Sequence, residues 1–235
     1  MDRLLRDEIL ASQPLHPNQH VYQAGKSVET ALHQLVVRVE KALDQQEVAL
    51  GVFLDIERAF NKTFYDSMCM ALARHGVDHT IVRWVKATLE GRRAMATLGS
   101  LSRSVAVSRG CPQGGVLSSL LWCLLVDELL TRLNGEGVYA QGYADDVCLL
   151  AVGKFPNAVT GLIQWALGTV EAWCGEHGLS VYPKKNWARR LHEKKETTRF
   201  LPTPFIRKGI ATLYVSQVSG SDPGFTAVLE GTCGN

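Results

Sequence analysis

The stretch VYAQGYADDVCLLAV, residues 138–152, is typical of two strands joined by a tight turn. Apolar residues occupy both flanks, and Ala144, Asp145 and Asp146 stand where the chain must reverse, a position that Asp favours. Two adjacent carboxylates at the tip of a hairpin repel one another unless a divalent cation lies between them. An acidic turn without any ligand is the alternative, and this stretch alone leaves both interpretations open.

A third carboxylate follows another apolar run, VALGVFL at residues 48–54, which ends in Asp55. At this length a continuous apolar run fits a strand buried on both faces of a sheet. Burying an unpaired carboxylate is costly, so Asp55 should reach solvent or hold a cation, unless it only turns the chain. If the two apolar segments lie side by side, Asp55, Asp145 and Asp146 would form an oxygen-rich site suited to Mg²⁺.

The remaining pattern predicts the elements around these strands. Apolar periodicity and capping residues predict helices over 27–43, 63–75, 78–91, 116–133 and 156–176. A hairpin with arms at 94–98 and 104–108 should turn near Gly99 and Ser100, and a short strand is predicted at 179–182. This order predicts an α+β domain whose antiparallel sheet is backed by helices on one face. Beyond residue 186 the periodicity fades and prolines recur, which predicts irregular structure.

Composition narrows the class of protein. The 235 residues are 46% hydrophobic and 20% charged, which is ordinary for a globular domain. No apolar run approaches the roughly 20 residues of a membrane helix, and the N-terminus lacks a signal-peptide pattern. We therefore expect no membrane partner and an intracellular protein, nuclear or cytoplasmic. The six cysteines include no C-x-x-C pair, which argues against a zinc site.

One segment is strongly basic. Residues 184–208 carry nine Lys and Arg against Glu193 and Glu196. Such a segment can contact nucleic-acid phosphates, but it can equally be an ordinary solvated stretch. Charge alone does not decide between the two.

Four pieces of sequence stand in a particular order: FLDIERAFN at 53–61, RGCPQGGVLS at 109–118, YADD at 143–146 and GLSVYPKK at 178–185. In that order they resemble motifs A, B, C and D of the reverse transcriptases of non-LTR retrotransposons, of the LINE-like, Jockey type. Upstream, YQAGKSVETAL at 22–32 resembles the fingers motif that precedes motif A. The resemblance covers residues 16–185.

This resemblance implies both a fold and an activity. The fold is a right-hand polymerase palm, with a ferredoxin-like antiparallel sheet, plus part of the fingers in residues 1–185. Residues 186–235 would be a basic and then irregular tail that could be degenerate, and we expect these residues to lack the thumb. The implied activity is that of an RNA-directed DNA polymerase, which adds dNTPs to a DNA primer on an RNA template.

The resemblance also implies a metal site. Two Mg²⁺ ions, for which Mn²⁺ can substitute, would be held by Asp55, Asp145 and the Ile56 carbonyl, with Asp146 contributing less directly. Two such ions about 3.5–4 Å apart can activate the primer hydroxyl and stabilise the leaving oxygen. Lys185 matches a lysine of motif D that would act as general acid for the pyrophosphate.

Further residues acquire binding roles by the same resemblance. Phe60 matches a residue that selects deoxynucleotides, because a ring beneath the sugar leaves no room for a 2′-hydroxyl. Contacts to the incoming dNTP are also implied for Gln113 and Lys26. Contacts to template and primer are implied for Gly114, Gly115 and Tyr143.

The sequence departs from the family pattern at several positions, and these leave alternatives. The family usually has Arg where Gln23 and Lys26 stand, and the bulky Arg58 follows the metal-binding motif closely. An inactive remnant, or a nucleic-acid-binding module that keeps the palm fold, is therefore the main alternative. An RNA-dependent RNA polymerase shares the palm, but Phe60 argues against it, and a group II intron maturase-like enzyme is a further alternative. The sequence does not indicate an oligomeric state.

Overall fold

The structure, a computed structural model, describes residues 5–6, 10–182, 211–216 and 226–231. Its helices are α1 (Leu10–Ser12), α2 (Val28–Asp44), α3 (Ala59–Lys62), α4 (Tyr65–Arg74), α5 (His79–Glu90), α6 (Val116–Gly135) and α7 (Pro156–Glu176). Its strands are β1 (Val48–Ile56), β2 (Arg93–Leu98), β3 (Leu101–Ala106), β4 (Tyr139–Tyr143), β5 (Asp146–Gly153), β6 (Val181–Tyr182), β7 (Ala211–Ser216) and β8 (Thr226–Gly231). Among the helices in these ranges, none combines the length and apolar character that crossing a bilayer requires.

Strand β1 lies at the centre of the main sheet, in which every strand pairing is antiparallel. The strand order is β4-β5-β1-β7-β8, and β6 pairs with the last two residues of β1 on the same edge as β7. Strands β2 and β3 form a separate two-stranded sheet. The α+β prediction with an antiparallel sheet is confirmed, and the predicted strand at 48–54 continues to Ile56.

The sheet is covered on both faces. Leu50 and Leu54 of β1 pack in the large core with helices α6 and α7. Ala49 instead packs in a smaller core with Leu35 of α2 and Leu150 of β5. Since alternate residues of a strand point to opposite faces, α2 lies across the sheet from α6 and α7. The prediction of helices on one face only was therefore incomplete, because an uninterrupted apolar strand needs cover on both of its sides.

Local signals account for where the helices begin. Ser27 caps α2 in a reciprocal pair with Thr30, in which Thr30 N donates to Ser27 Oγ (3.3 Å) and Ser27 N donates to Thr30 Oγ1 (2.9 Å). Asp78 caps α5 by accepting from Thr80 N (2.8 Å). Helix α7 begins with Pro156, which has no N–H to leave unsatisfied at that position. These predicted starts agree with the structure to within one residue.

Two predicted elements differ in their bounds. The helix predicted at 63–75 is α3 followed by α4, because Thr63 and Phe64 are extended (ψ 134 and 144) and Phe64 N donates to His177 O (3.2 Å). The second arm of the predicted hairpin begins at Leu101 instead of 104. A two-residue turn at Gly99 and Ser100 sets Leu98 directly opposite Leu101.

The tail differs most from expectation. Residues 211–216 and 226–231 form β7 and β8, so the prediction of irregular structure was wrong for them. The backbone of β1 between Ala49 and Phe53 is hydrogen-bonded to β7. An unpaired edge on a buried central strand would be costly, and ATLYVS, residues 211–216, contains β-branched and aromatic residues suited to fill it. The division of the chain at residue 185 stays a prediction.

Candidate active site

The pairing of β1 with β5 brings the predicted carboxylates together. Asp55 is directly opposite Asp146 in this ladder. Residues opposite one another in antiparallel strands have Cα atoms about 4.5–5.5 Å apart and side chains on the same face. Asp145 lies one residue before Asp146, and its carbonyl accepts a hydrogen bond from Ile56 N (2.9 Å). All three aspartates therefore lie at one end of the β1–β5 pair.

The chemistry of these groups suits a hard divalent cation. Asp55 is half-buried, Asp145 and Asp146 are exposed, and each offers carboxylate oxygens. Asp55 and Asp146 also make other contacts within the chain. In the described part of the chain no three His, Cys, Asp or Glu side chains are already gathered closely enough to hold a metal ion. The donor set fits such an ion, and its side chains would have to draw together to bind one.

The turn that carries Asp145 has an unusual backbone. Ala144 has φ +54, a conformation that costs a residue with a Cβ about 1–2 kcal/mol. Two-residue hairpin turns need positive φ at their first central residue, which explains why the chain adopts it here. The Ala144 carbonyl accepts a hydrogen bond from Trp122 Nε1 of α6 (2.6 Å). Tyr143 precedes the turn, half-buried and opposite Asp146.

Phe60 lies close to this turn through a shared neighbour. Its ring is tilted at 44° to that of Trp122, with the ring centroids 5.9 Å apart. The Phe60 carbonyl accepts a hydrogen bond from Cys111 N (2.6 Å) in the loop between β3 and α6. Phe60 is therefore joined directly to the 109–118 loop, and to the 143–146 turn through Trp122.

Glu57 joins β1 to the segment around residue 180. Its carboxylate accepts hydrogen bonds from Lys62 Nζ (3.0 Å) and Ser180 Oγ (2.9 Å), and its N–H donates to Ser180 O (2.7 Å). These bonds, that from Lys62 above all, lower the pKa of Glu57. The bulky Arg58 has its Nε 3.5 Å from Glu57 Oε1, and its side chain is 68% exposed.

The 109–118 loop is fastened at its start and exposed further on. Gly110 N donates to Thr63 O (2.7 Å), and a Cβ on Gly110 would lie 2.5 Å from the Phe60 and Asn61 carbonyl oxygens. Arg92 donates to the carbonyl oxygens of Arg109 and Gly110 and to the Tyr65 hydroxyl. Since Gly110 also has φ +75, no other residue fits there without strain.

The residues predicted to contact substrates fall into three groups. Gln113 and Gly114 are exposed and Gly115 is half-buried, immediately after the anchored start of the loop. Lys26 donates from Nζ to the Pro17 carbonyl, and burial lowers its pKa, so its hydrogen bond goes to the 16–20 loop and not to the aspartates. Lys185 lies outside the described residues.

Three residues of the site were not anticipated from the sequence: Tyr22 and Trp122, which lie near the 143–146 turn, and Arg92, which anchors the start of the 109–118 loop. Burial, with smaller contributions from Cys123 and the Asp145 carboxylate, raises the pKa of Tyr22, so the fingers motif begins close to Asp145. Trp122 did carry a signal, because a tryptophan N–H in an apolar helix must find an acceptor when it is buried. Arg92 and Arg93 are adjacent, and the sequence does not indicate which of them would bind the carbonyl oxygens of the 109–118 loop.

Comparison with known proteins agrees with this geometry. The family model described as Reverse transcriptase (RNA-dependent DNA polymerase) matches residues 1–204. The chain is 28% identical over 193 residues to a probable RNA-directed DNA polymerase from transposon BS of Drosophila melanogaster, covering 77% of this chain and 20% of that protein. It is 25% identical over 205 residues to the RNA-directed DNA polymerase from mobile element jockey of the same organism, covering 83% and 21%. The chain thus spans about a fifth of the length of these relatives.

A solved structure shares the fold. Apo telomerase from Candida Tropicalis, truncated from its C-terminal domain, superposes with a TM-score of 0.60 at 12% identity, covering 96% of this chain and 42% of that chain. At that identity the likeness concerns the fold alone. The predicted relationship to non-LTR reverse transcriptases and the predicted palm-like fold are confirmed. The chain belongs to the reverse transcriptase (RNA-dependent DNA polymerase) family.

Proposed function

We propose that this chain is the fingers and palm core of an RNA-directed DNA polymerase. It would add dNTPs to the 3′-hydroxyl of a DNA primer along an RNA template. The observation that carries the proposal is the pairing of Asp55 with Asp146 across β1 and β5, in a chain of the reverse transcriptase family. Carboxylates at the end of two adjacent strands are what a polymerase of this kind needs to hold its metal ions.

Two Mg²⁺ ions, with Mn²⁺ as a substitute, are the proposed cofactors, because enzymes of this family generally use divalent metal ions. Asp55, Asp145 and the Ile56 carbonyl would hold them, with Asp146 in a lesser role. Bound ions of this kind lower the pKa of the primer hydroxyl and neutralise charge on the triphosphate. The chain itself restricts the carboxylates through the β1–β5 ladder and the hydrogen bond from Ile56 to Asp145.

Phe60 is the proposed sugar gate. A ring that cannot move aside would exclude a ribose 2′-hydroxyl by contact, which selects dNTPs over rNTPs. The contacts of Phe60 with Trp122 and Cys111 support this role, because they restrain both the ring and the backbone beneath it.

The remaining contacts with substrates are proposed from the positions of the residues in the sequence motifs. Gln113 would lie against the incoming base, and Gly114, Gly115 and Tyr143 against template and primer. Lys26 would have to release its hydrogen bond to Pro17 before it could contact a triphosphate. Lys185 is proposed as the general acid for pyrophosphate.

The decisive experiment is primer extension with a DNA primer on an RNA template in Mg²⁺, using the 235-residue chain. Wild type should extend the primer, and Asp145→Asn should lower the rate by about 1,000-fold, since loss of a metal-holding charge removes several kcal/mol of transition-state stabilisation. Asp44→Asn, which changes an exposed aspartate at the end of α2, should extend at the wild-type rate. Asp146→Asn should be affected less than Asp145→Asn.

Two results would go against the polymerase. Equal extension by wild type and Asp145→Asn would show that these carboxylates do not hold the catalytic ions. Salt-sensitive RNA binding by both proteins without extension would favour the alternative, a nucleic-acid-binding module that keeps the palm fold.

A further inference from the structure

Trp122 of α6 contacts two of the proposed functional segments at once. Its side chain is buried, with only 3% of its surface exposed. Its Nε1 donates to the Ala144 carbonyl (2.6 Å), and its ring packs against Phe60 with centroids 5.9 Å apart. A single side chain therefore joins the turn that carries Asp145 to the ring proposed as the sugar gate.

We propose that Trp122 is a positioning residue that sets both the aim of Asp145 and the sugar selectivity of Phe60. This inference rests on the proposed function and extends it to a residue that touches neither substrate nor metal. Its two halves are separable, because the indole N–H acts on the turn and the indole ring acts on the gate.

The N–H half follows from the planarity of peptide bonds. The Ala144 carbonyl belongs to the peptide plane that leads into Asp145, so the hydrogen bond from Trp122 fixes the orientation of that plane. The next plane, with the Asp145 carbonyl, is fixed by the hydrogen bond from Ile56 N (2.9 Å). Asp145 is thus held between two anchored planes. Without Trp122 the first of these hydrogen bonds is lost. Because the positive φ of Ala144 is unfavourable, the backbone at that residue should then shift to a conformation of lower energy.

The ring half follows from what lies behind Trp122. Trp173 of α7 meets it edge-on, with centroids 6.5 Å apart and an interplanar angle of 70°, and is itself only 2% exposed. Close-packed cores do not yield easily, so Trp122 acts as a wall against which the Phe60 ring rests. A ribose that pressed on Phe60 would have to displace this wall. A smaller side chain at 122 would let the ring retreat.

Two variants separate these halves. Trp122→Phe keeps an aromatic ring but removes the N–H donor, and Trp122→Leu removes both. Trp84→Phe is the matched control, because it makes the same truncation at an indole of α5 that is 50% exposed and has no part in the turn or the gate. Circular dichroism and thermal melting show that each variant is folded before it is compared.

Two measurements are made on each folded variant: Mn²⁺ affinity by EPR titration without substrate, and the ratio of dNTP to rNTP incorporation. Trp122→Phe should weaken Mn²⁺ binding and slow extension by up to about tenfold, the usual range for a lost hydrogen bond, with the incorporation ratio unchanged. Trp122→Leu should also lower the incorporation ratio about tenfold or more, since small misplacements of a positioning group have large effects. Trp84→Phe should leave both quantities at wild-type values.

The outcomes distinguish this inference from the proposed function. Wild-type protein that neither extends a primer nor binds Mn²⁺ would overturn both. If wild type binds Mn²⁺ without extending, the polymerase proposal fails while the EPR titration still decides whether Trp122 orients Asp145. If wild type extends and both Trp122 variants match Trp84→Phe in metal affinity and in sugar selection, Trp122 is only a core residue and this inference is wrong.

Discussion

The β1–β5 pair and the β2–β3 hairpin are both antiparallel ladders, of eight and six residue pairs, but they are stabilised differently. In β1, residues on both faces are buried: Leu50, Val52 and Leu54 on one face and Ala49 on the other. In β2 and β3 every residue is exposed. A slip of one residue in β1–β5 would turn each side chain to the wrong face. The register of the hairpin depends instead on the Gly99-Ser100 turn, on the ladder hydrogen bonds and on one solvated side-chain hydrogen bond, from Arg93 to Ser104.

This difference explains where charged groups can be held in fixed positions. Asp55 and Asp146 occupy the last pair of the buried ladder, so their backbone positions follow from the packing of the apolar residues before them. Among the described residues, none packs over the side chains of the hairpin in this way. A site that must hold metal-binding carboxylates is therefore better built at the end of a buried strand pair than on an exposed hairpin.

The comparison is tested most strongly by truncating one leucine in each ladder. Leu54→Ala should lower the free energy of unfolding by about 3 kcal/mol, because Leu54 is 1% exposed and its loss leaves a cavity. Leu98→Ala, at a side chain that is 83% exposed, should change it by less than about 0.5 kcal/mol. Urea denaturation of both variants measures the difference. Equal losses would mean that the hairpin is packed in solution and that the contrast between the ladders is false.

A pair of glycines separates backbone conformation from available space. Gly110 and Gly99 both have positive φ, +75 and +58, so alanine is strained at either position. A Cβ on Gly110 would meet two carbonyl oxygens at 2.5 Å, while nothing lies within 4 Å at Gly99. Gly99→Ala should cost about 1 kcal/mol and Gly110→Ala about 2–3 kcal/mol, since only the second also forces the backbone to shift.

The same urea titration serves for both glycine variants, with primer extension as a second readout. Gly110→Ala should also slow extension, because the loop that it displaces lies against Phe60. Identical costs at the two positions would indicate that the 109–118 loop moves freely away from the Phe60 carbonyl. That result would remove the structural link between the loop and the gate.

The sequence predicted the buried ladder better than any other part of the fold. The apolar runs at 48–54 and 147–152 predict strands by themselves, because a short continuous apolar run is typical of a buried strand. The pairing of these runs was a hypothesis from the residues and an implication of the motifs, and the register now sets Asp55 opposite Asp146. By contrast, β7 was missed because its pairing partner, β1, is far away in the sequence and no local pattern points to it.

Contacts between segments were the part of the site that the sequence could not reveal. Trp122 looked like one more apolar residue of an amphipathic or buried helix, and only the fold shows that its N–H reaches Ala144. Likewise, Glu57 and Ser180 lie in separate motifs, and their hydrogen bond depends on how β1 and β6 are aligned. Side-chain roles that depend on distant neighbours follow from the packing and not from a local pattern.

A half-buried ion pair between α4 and α6, formed by His75 and Asp127, extends the comparison to charge. His75, at the C-terminal end of α4, donates from Nδ1 to Ala71 O (3.1 Å), and its Nε2 lies 3.5 Å from Asp127 Oδ2 of α6. The hydrogen bond with Asp127 raises the pKa of His75 above 6.5. Although burial raises the pKa of Asp127, hydrogen bonds from His75 and from His16 N (2.5 Å) lower it overall, below 3.8.

The sign of the pH dependence follows from these shifts. Stabilisation from His75 is fully present below pH 6.5 and is lost as pH rises through its raised pKa, while that from Asp127 is lost only as pH falls below 3.8. His75→Gln should therefore cost about 1 kcal/mol between the two values and less at alkaline pH. The free energy of unfolding of wild type and variant is measured across pH. The difference between the two proteins isolates the contribution of His75, because the contributions of the other histidines are the same in both. A cost that does not vary with pH would mean that His75 is neutral.

The smallest expected effect lies in the hairpin, at a polar contact that water can replace. Arg93 Nε donates to Ser104 Oγ (2.8 Å) between two exposed strands. Ser104→Ala should change the free energy of unfolding by less than about 0.5 kcal/mol, because both groups remain solvated when the bond is lost. Arg93→Ala, the matched change on the other strand, should behave in the same way. A loss above about 1 kcal/mol from either variant would show that the hairpin unfolds together with the buried ladder, because an isolated two-stranded sheet is too weak to register such a loss by itself.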